Sequence, residues 1–255
     1  MSNNSNFVQV HVEYARQAES FSASRAGYDF DVGQIRIRQA RAEFVRSLIA
    51  SDDTVLDIGC SEGLILRALS TSIQNGLGID IAPLPVKIAR ERTPIERYPN
   101  LEFRVCAVEE LPLENKFSVV TAFEVIEHVP DVDWFLDAIR QRTRPRGMLV
   151  LTTPNLKRLI NRILLCAGKT PGYCDPTHVK EFSRAELVAL VQKHGFRVIR
   201  HSAFCLLDTT VLYYLTMRQF SRRRYKDWQE SSVNIRAGAF APSISLFQVL
   251  HAEVI

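Results

Sequence analysis

The chain has 255 residues, 46% of them hydrophobic and 24% charged, with a formal net charge of +4. That composition supports a large apolar core and excludes disordered, collagen-like and histone-like chains, while the mild positive charge admits an anionic ligand without requiring one. The five cysteines, Cys60, Cys106, Cys166, Cys174 and Cys205, form no C-x-x-C pair. Such scatter argues against a disulfide framework and for reduced thiols. Met1 to Asn6 carries neither a basic nor an apolar region, and the longest apolar run, Ala203–Met217, is interrupted by Asp208. The expectation is a soluble cytoplasmic protein with no signal peptide and no membrane span.

Along the chain, Gly33–Ala50 has a helical pattern, with Ile35, Ala42, Val45 and Ile49 on or near one face. Then short Val- and Ile-rich runs alternate with helical stretches. The predicted strands are Thr54–Ile58, Gly78–Ile81, Leu101–Cys106, Phe117–Phe123, Met148–Thr152, Phe196–His201 and Ser245–Val254. The predicted helices between them are Glu62–Ser72, Leu84–Thr93, Val132–Thr143 and Arg184–His194. Ser183, Glu186 and Gly195 punctuate the last helix with a capping box and a C-terminal glycine. Alternation of this kind predicts an α/β fold with a largely parallel sheet covered on both faces. A single domain over 1–255 is expected, with 1–50 as an N-terminal helical cap. The segments 156–180 and 208–240 read as insertions roofing an acceptor pocket.

The stretch Gly59-Cys60-Ser61-Glu62-Gly63 poses the functional question. Literally it is G-x-S-x-G, the nucleophile elbow of a hydrolase. An elbow has no use for a carboxylate at the strand end, yet Asp57 stands there, and His251 lies inside a strand rather than on a loop beyond one. Cys60 has no histidine near it in sequence to activate it as a nucleophile. Read instead as a nucleotide cradle, the turn uses Gly59 and Gly63 for close backbone approach, and Asp80 closes the next strand about twenty residues on, where an acidic side chain meets ribose hydroxyls. The acidic turn and the lack of G-x-G-x-x-G favour a positively charged nucleoside without phosphate.

Val55–Gly63, Gly78–Ile81, Glu109-Glu110-Leu111-Pro112, Phe123–Val129 and Arg146-Gly147 through Thr153-Pro154-Asn155 resemble, in order and spacing, the class I S-adenosylmethionine-dependent methyltransferases. The resemblance spans roughly Arg41 to Arg200. It implies a Rossmann-like seven-stranded sheet of order 3-2-1-4-5-7-6 with the last strand antiparallel and helices on both faces. It also implies that Asp57, Gly59, Cys60, Ser61 and Gly63 hold the methionine part of the cofactor, and that Asp80 holds its ribose. Ile81 would flank the adenine, the Val108–Glu109 backbone would meet its edge, and Phe123 would line the site. Three departures stand out. Ser61 replaces a usual glycine, a change tolerable if its backbone angles are ordinary. Ala107 and Ser118 stand where relatives often carry Asp.

Methyl transfer requires acceptor and methyl in line, and a hydroxyl acceptor gains from a base or a Lewis acid. Glu124, Glu127 and His128 are spaced i, i+3, i+4, which would put them on one face of a helical turn, and His178 is the next histidine along the chain. Together they form a candidate site for Mg²⁺, Mn²⁺ or Zn²⁺. The competing reading is metal-free, with His128 as general base and Glu124 orienting it. The E-x-x-E-H pattern is similar both to ubiquinone-biosynthetic O-methyltransferases, where the resemblance is broader, and to small-RNA 2′-O-methyltransferases. No RNA-binding module and no broad basic surface accompany it, which argues against nucleic acid. The apolar-basic stretch Lys157–Leu165, with Leu212–Met217 beside Arg222-Arg223-Arg224, points to a hydrophobic or anionic small-molecule acceptor and to contact with a membrane surface. Methylation at carbon or nitrogen, and a non-catalytic scaffold retaining the fold, stay open at this point.

Overall fold

The structure is a computed structural model that describes residues 32–175, 177–206, 228 and 231–255. Most of the first expected cap and of the 208–240 insertion, including Leu212–Met217 and the Arg222–Arg224 triplet, lies outside the described residues. Helix α1 (Val32–Arg46) leads into β1 (Thr54–Ile58), α2 (Leu64–Leu69), β2 (Asn75–Asp80), α3 (Pro83–Glu91) and β3 (Leu101–Val105). Then come β4 (Phe117–Phe123), α4 (Val132–Arg142), β5 (Thr143–Pro154), α5 (Leu159–Cys166), α6 (Arg184–Lys193), β6 (Phe196–Phe204), α7 (Ser232–Ala237) and β7 (Phe247–Val254). The strands form one sheet of order β3-β2-β1-β4-β5-β7-β6, parallel except for β7, which runs antiparallel to both neighbours.

Successive strand residues face opposite sides of the sheet, and here both sides are buried. Leu56, Ile58, Leu77, Ile79, Val120, Leu149 and Leu151 point to a layer made by Phe135, Leu136 and Ile139 of α4 and Leu187 and Val191 of α6. Their neighbours Val55, Val119, Val150 and Val249 point the other way, onto Ala42 and Val45 of α1, Ile65, Leu66 and Leu69 of α2, and Val86 and Ala89 of α3. This is why the early strands read as continuous apolar runs rather than alternating ones. The sheet order, the antiparallel last strand and the two helical layers are those expected from sequence.

Element ends follow local chemistry. Ser183 Oγ accepts from Glu186 N at 3.4 Å while Glu186 Oε2 accepts from Ser183 N at 2.8 Å, closing the predicted capping box of α6. Gly195 follows at φ +77°. Asp131 caps α4 by accepting from Trp134 N at 3.0 Å. Several bounds shift: β2 begins at Asn75 rather than Gly78, and β6 runs on to Phe204 rather than ending at His201. Two further shifts have evident causes. Helix α2 begins at Leu64 rather than Glu62, because Gly63 in front of it is left-handed, and Ser70–Ser72 tighten into a 3₁₀ turn. Strand β5 begins at Thr143 rather than Met148: a break in register between Phe117 and Val119 of β4 lets β5 pair across Arg144–Gly147, which the sequence reading left between a helix and a strand. Because β1, β2, β4 and β5 run the same way, Asp57, Asp80, Phe123 and Pro154 emerge at one edge of the sheet, beside the point where strand order reverses between β1 and β4.

Candidate functional site

Asp57 is buried near the end of β1. Thr121, its neighbour on β4, donates to Oδ1 at 2.7 Å, and Oδ2 is sealed from solvent with no partner among the described residues. Burial, opposed by the Thr121 hydrogen bond, raises the Asp57 pKa from its ordinary 3.8 to about 7. A buried carboxylate oxygen without a donor, next to an open turn, is a receptor for a ligand cation. The turn runs Gly59 (φ +68°), Cys60, Ser61 (φ +49°), Glu62, Gly63 (φ +72°). Ser61 therefore does not keep ordinary angles. It sits in left-handed space, and its N–H donates to Asp80 Oδ2 at 3.0 Å. Ala82 N donates to Asp80 Oδ1 at 2.9 Å, so Asp80 ties the turn to the start of α3 and keeps further lone pairs for hydroxyl donors.

The two glycines have a tighter reason than ligand approach. A Cβ on Gly59 would lie 2.5 Å from Val125 Cγ2, and one on Gly63 would lie 2.6 Å from the Phe103 ring. Phe103 fills the space against Gly78 as well, where a Cβ would again meet the ring at 2.6 Å. Cys60 is buried, and burial first, with Asp57 and Asp80 beside it, pushes its thiol pKa well up, which removes any role as a thiolate nucleophile.

Beyond β3, Val108–Glu110 form a 3₁₀ turn, with Ala107 N donating to Glu110 Oε2 at 2.7 Å. Val108 is buried and Ile81 partly exposed. Arg142 of α4 was not singled out from sequence, yet it pins this segment. Its buried guanidinium donates to the carbonyls of Glu109 at 2.8 Å and of Leu111, and to Ala138 O at 3.1 Å.

The second half of the site follows β4. The expected single face for Glu124, Glu127 and His128 is not formed. Glu124 is left-handed at φ +56°, and only Ile126–His128 make a 3₁₀ turn. Glu124 therefore turns aside: its Oε1 accepts from Thr152 Oγ1 at 2.6 Å and pairs with Arg41 of α1 at 3.0 Å. Arg41 lies against the rings of Phe123 and Phe247, at 5.8 and 5.4 Å from their centroids, so the N-terminal helix contributes a wall of the site. Burial raises the Glu124 pKa, and Arg41 and Thr152 oppose it.

Glu127, His128 and His178 do come together, with one ligand atom from each lying within 4.8 Å of the others. Glu127 is wholly buried and neither oxygen makes a hydrogen bond of ordinary geometry among the described residues; burial first, then the nearby Glu124, hold its pKa well above the usual range against the Thr153 hydroxyl and its own backbone N–H. The backbone staples the two segments, since Val179 N and Lys180 N donate to Glu127 O at 2.9 and 3.2 Å. The His128 and His178 rings meet edge-on at 4.8 Å between centroids. Burial, helped by His178, lowers the His128 pKa, which keeps its ring neutral and able to accept a proton or ligate at neutral pH. His178 Nδ1 lies 2.9 Å from Glu181 Oε1. Burial opposes ionisation of Glu181, but its bonds from His178, Cys174 N and Arg158 hold its carboxyl below the usual range.

A methyltransferase-domain family profile matches residues 33–201, well over half of the chain. The chain belongs to that family. It is an S-adenosylmethionine-dependent methyltransferase, and the cradle at Asp57–Gly63 and Asp80 fits that methyl donor: the partnerless Asp57 oxygen suits its ammonium and Asp80 its ribose. The ubiquinone biosynthesis O-methyltransferase of Xanthomonas euvesicatoria is 30% identical over 169 residues, covering 64% of this chain and 70% of that one. The enzyme of the same name from Acinetobacter baylyi is 34% identical over 103 residues, and the match spans only 43% of its length. The solved magnesium protoporphyrin IX methyltransferase of Synechocystis, with S-adenosylhomocysteine bound, aligns over 93% of this methyltransferase and 94% of its own chain, with a TM-score of 0.59 at 16% identity. Among the described residues no helix is long and apolar enough to cross a membrane.

Arg41, Arg142, Arg158 and Glu181 carry the site's scaffolding and escaped sequence reading. Arg142 and Arg158 lean largely on backbone carbonyls, which leave no trace in a side-chain pattern. Glu181 alone had a signal, its i+3 spacing from His178.

Proposed function

We propose that this methyltransferase O-methylates a hydroxyl of an apolar small-molecule acceptor, of the phenolic type suggested by the name of its ubiquinone-biosynthetic relatives. The observation that carries the reading is the convergence of His128 and His178 on Glu127, a buried carboxylate whose oxygens lack a hydrogen bond of ordinary geometry among the described residues. A buried acid in that state needs a cation or a proton.

Bound S-adenosylmethionine supplies a methyl group on a positively charged sulfur. The chain's residues do the rest. Asp57 and Asp80 fix the donor at the ends of β1 and β2, and Arg142 braces the segment at its adenine side. Glu127, His128 and His178 would hold a divalent ion, which would supply a Lewis acid for the acceptor hydroxyl. Without the ion, the neutral His128 ring takes the hydroxyl proton directly. Glu124, committed to Arg41 and Thr152, shapes the wall beside them and stands outside the ligand group. An apolar acceptor is supported by the exposed Ile163, Leu165, Tyr173 and Val179, interspersed with Lys157, Arg162 and Lys169 around α5. The same surface suits an acceptor presented at a membrane.

The test is S-adenosylhomocysteine formation with a catechol acceptor, in chelator and after restoring Mg²⁺, Mn²⁺ or Zn²⁺. Activity lost in chelator and restored by one ion, with His128→Asn inactive, is the expected result. Undiminished turnover in chelator overturns the metal role and leaves His128 as base. Turnover of amine or carbon acceptors alone overturns O-methylation.

A further inference from the structure

Beyond the candidate ligands lies a buried charged pair that methyl transfer does not by itself require. Glu181 is 1% exposed, and donors from Arg158, Cys174 and His178 converge on it, the Cys174 thiol lying 3.8 Å from His178 Nδ1 as well. Arg158 Nη1 reaches Oε2 at 2.5 Å, Cys174 N reaches Oε1 at 2.5 Å, and His178 Nδ1 lies 2.9 Å from that same oxygen. Arg158 is fixed in turn by the Gly172 carbonyl, which its Nη2 meets at 2.7 Å. Asn161 Nδ2 donates to the same carbonyl at 3.0 Å, so the partner of the pair is itself braced by α5. A carboxylate has no proton to give, so the hydrogen shared between Glu181 and His178 belongs to Nδ1. The ring's other nitrogen, Nε2, is then the one with a free lone pair. A carboxylate behind the imidazole in this way fixes tautomer and ring orientation.

We infer that Glu181, locked by Arg158, is a positioning residue of the site: it holds His178 as the Nδ1–H tautomer and leaves Nε2 as its working atom. The inference rests on His178 belonging to the reactive cluster, as proposed above, but not on which ion or acceptor that cluster takes.

The full chain labelled with ¹⁵N-histidine tests it by NMR, with His178→Asn assigning the ring signals. Wild type should carry its His178 proton on Nδ1. Glu181→Gln keeps an acceptor oxygen and should preserve that tautomer. The pair Arg158→Met with Glu181→Leu removes both charges together, so neither is left buried alone. In that variant the tautomer should no longer be fixed, and Mn²⁺ affinity, read by titration without acceptor, should fall about ten- to a hundredfold. A wild-type proton on Nε2, or an unchanged tautomer in the double variant, overturns the inference. A tautomer set by Glu181 in a wild type that binds no Mn²⁺ upholds the positioning role while removing the metal from the proposed function.

Discussion

Replacing Asp57 by asparagine exchanges a titrating group for a neutral one of nearly the same shape. In the folded chain the Asp57 pKa rises from 3.8 to about 7. Between those values the folded state binds a proton that the unfolded state has released. Stability therefore falls as pH rises through that window and levels above about pH 7, by about 4 kcal/mol in all at 1.36 kcal/mol per unit. Between pH 5 and pH 8 the change amounts to about 2–3 kcal/mol. Asparagine keeps an oxygen for the Thr121 hydroxyl but puts an amide N–H₂ where Oδ2 had no partner, a loss of about 1–3 kcal/mol that is independent of pH. Urea denaturation of both proteins without ligand separates the two effects: wild type should lose about 2–3 kcal/mol more than the variant between the two pH values. Affinity for S-adenosylhomocysteine, measured by calorimetry, should move oppositely. It should rise in wild type as Asp57 ionises, and in the variant it should be flat and at least tenfold weaker, the loss of one charge-assisted hydrogen bond. Parallel stability profiles would refute the reasoning, because Asp57 would then already be ionised in the fold at pH 5.

Gly63→Ala combines a left-handed φ with a Cβ driven into the Phe103 ring, and should cost about 2–5 kcal/mol by denaturation. Phe103→Leu should recover part of that loss, and additive effects would sink the account. Arg142→Met strips the Glu109, Leu111 and Ala138 carbonyls of their donor, and should cost about 2–4 kcal/mol while weakening S-adenosylhomocysteine binding in the same calorimetric assay. Unchanged ligand affinity there would mean that the 107–111 segment is not part of the cofactor site. Arg41→Met removes the cation that opposes the upward shift of Glu124, so its destabilisation should grow as pH rises and shrink in acid. A pH-independent loss would assign Arg41 to ring packing alone.

Much of the fold was legible because both faces of the sheet are buried. Thr54–Ile58 and Phe117–Phe123 could be bounded correctly from their Val- and Ile-rich runs. The missing start of β5 was hidden by Arg144-Pro145-Arg146-Gly147, whose composition signals a turn while its pairing across a register break makes it strand. In the candidate site, Asp57 and Asp80 were visible because a carboxylate stands out at the end of an apolar strand. The fate of Glu124 was not, since i, i+3, i+4 spacing predicts a shared face only on a helix, and a left-handed residue sends the side chain elsewhere. The buried arginines were invisible for another reason: a guanidinium that bonds carbonyls has partners in every sequence, and only the fold selects which ones.

Phe103 touches the Cα positions of both Gly63 and Gly78. These three positions share a single volume, so none of them can drift alone. A larger residue at 63 or 78 has to be preceded by a smaller one at 103, and shrinking 103 first leaves a hole beneath the cofactor turn until one of the glycines fills it. Any lineage carrying this fold would cross that valley in paired steps or not at all, so the aromatic ring and the two glycines should be inherited as one unit.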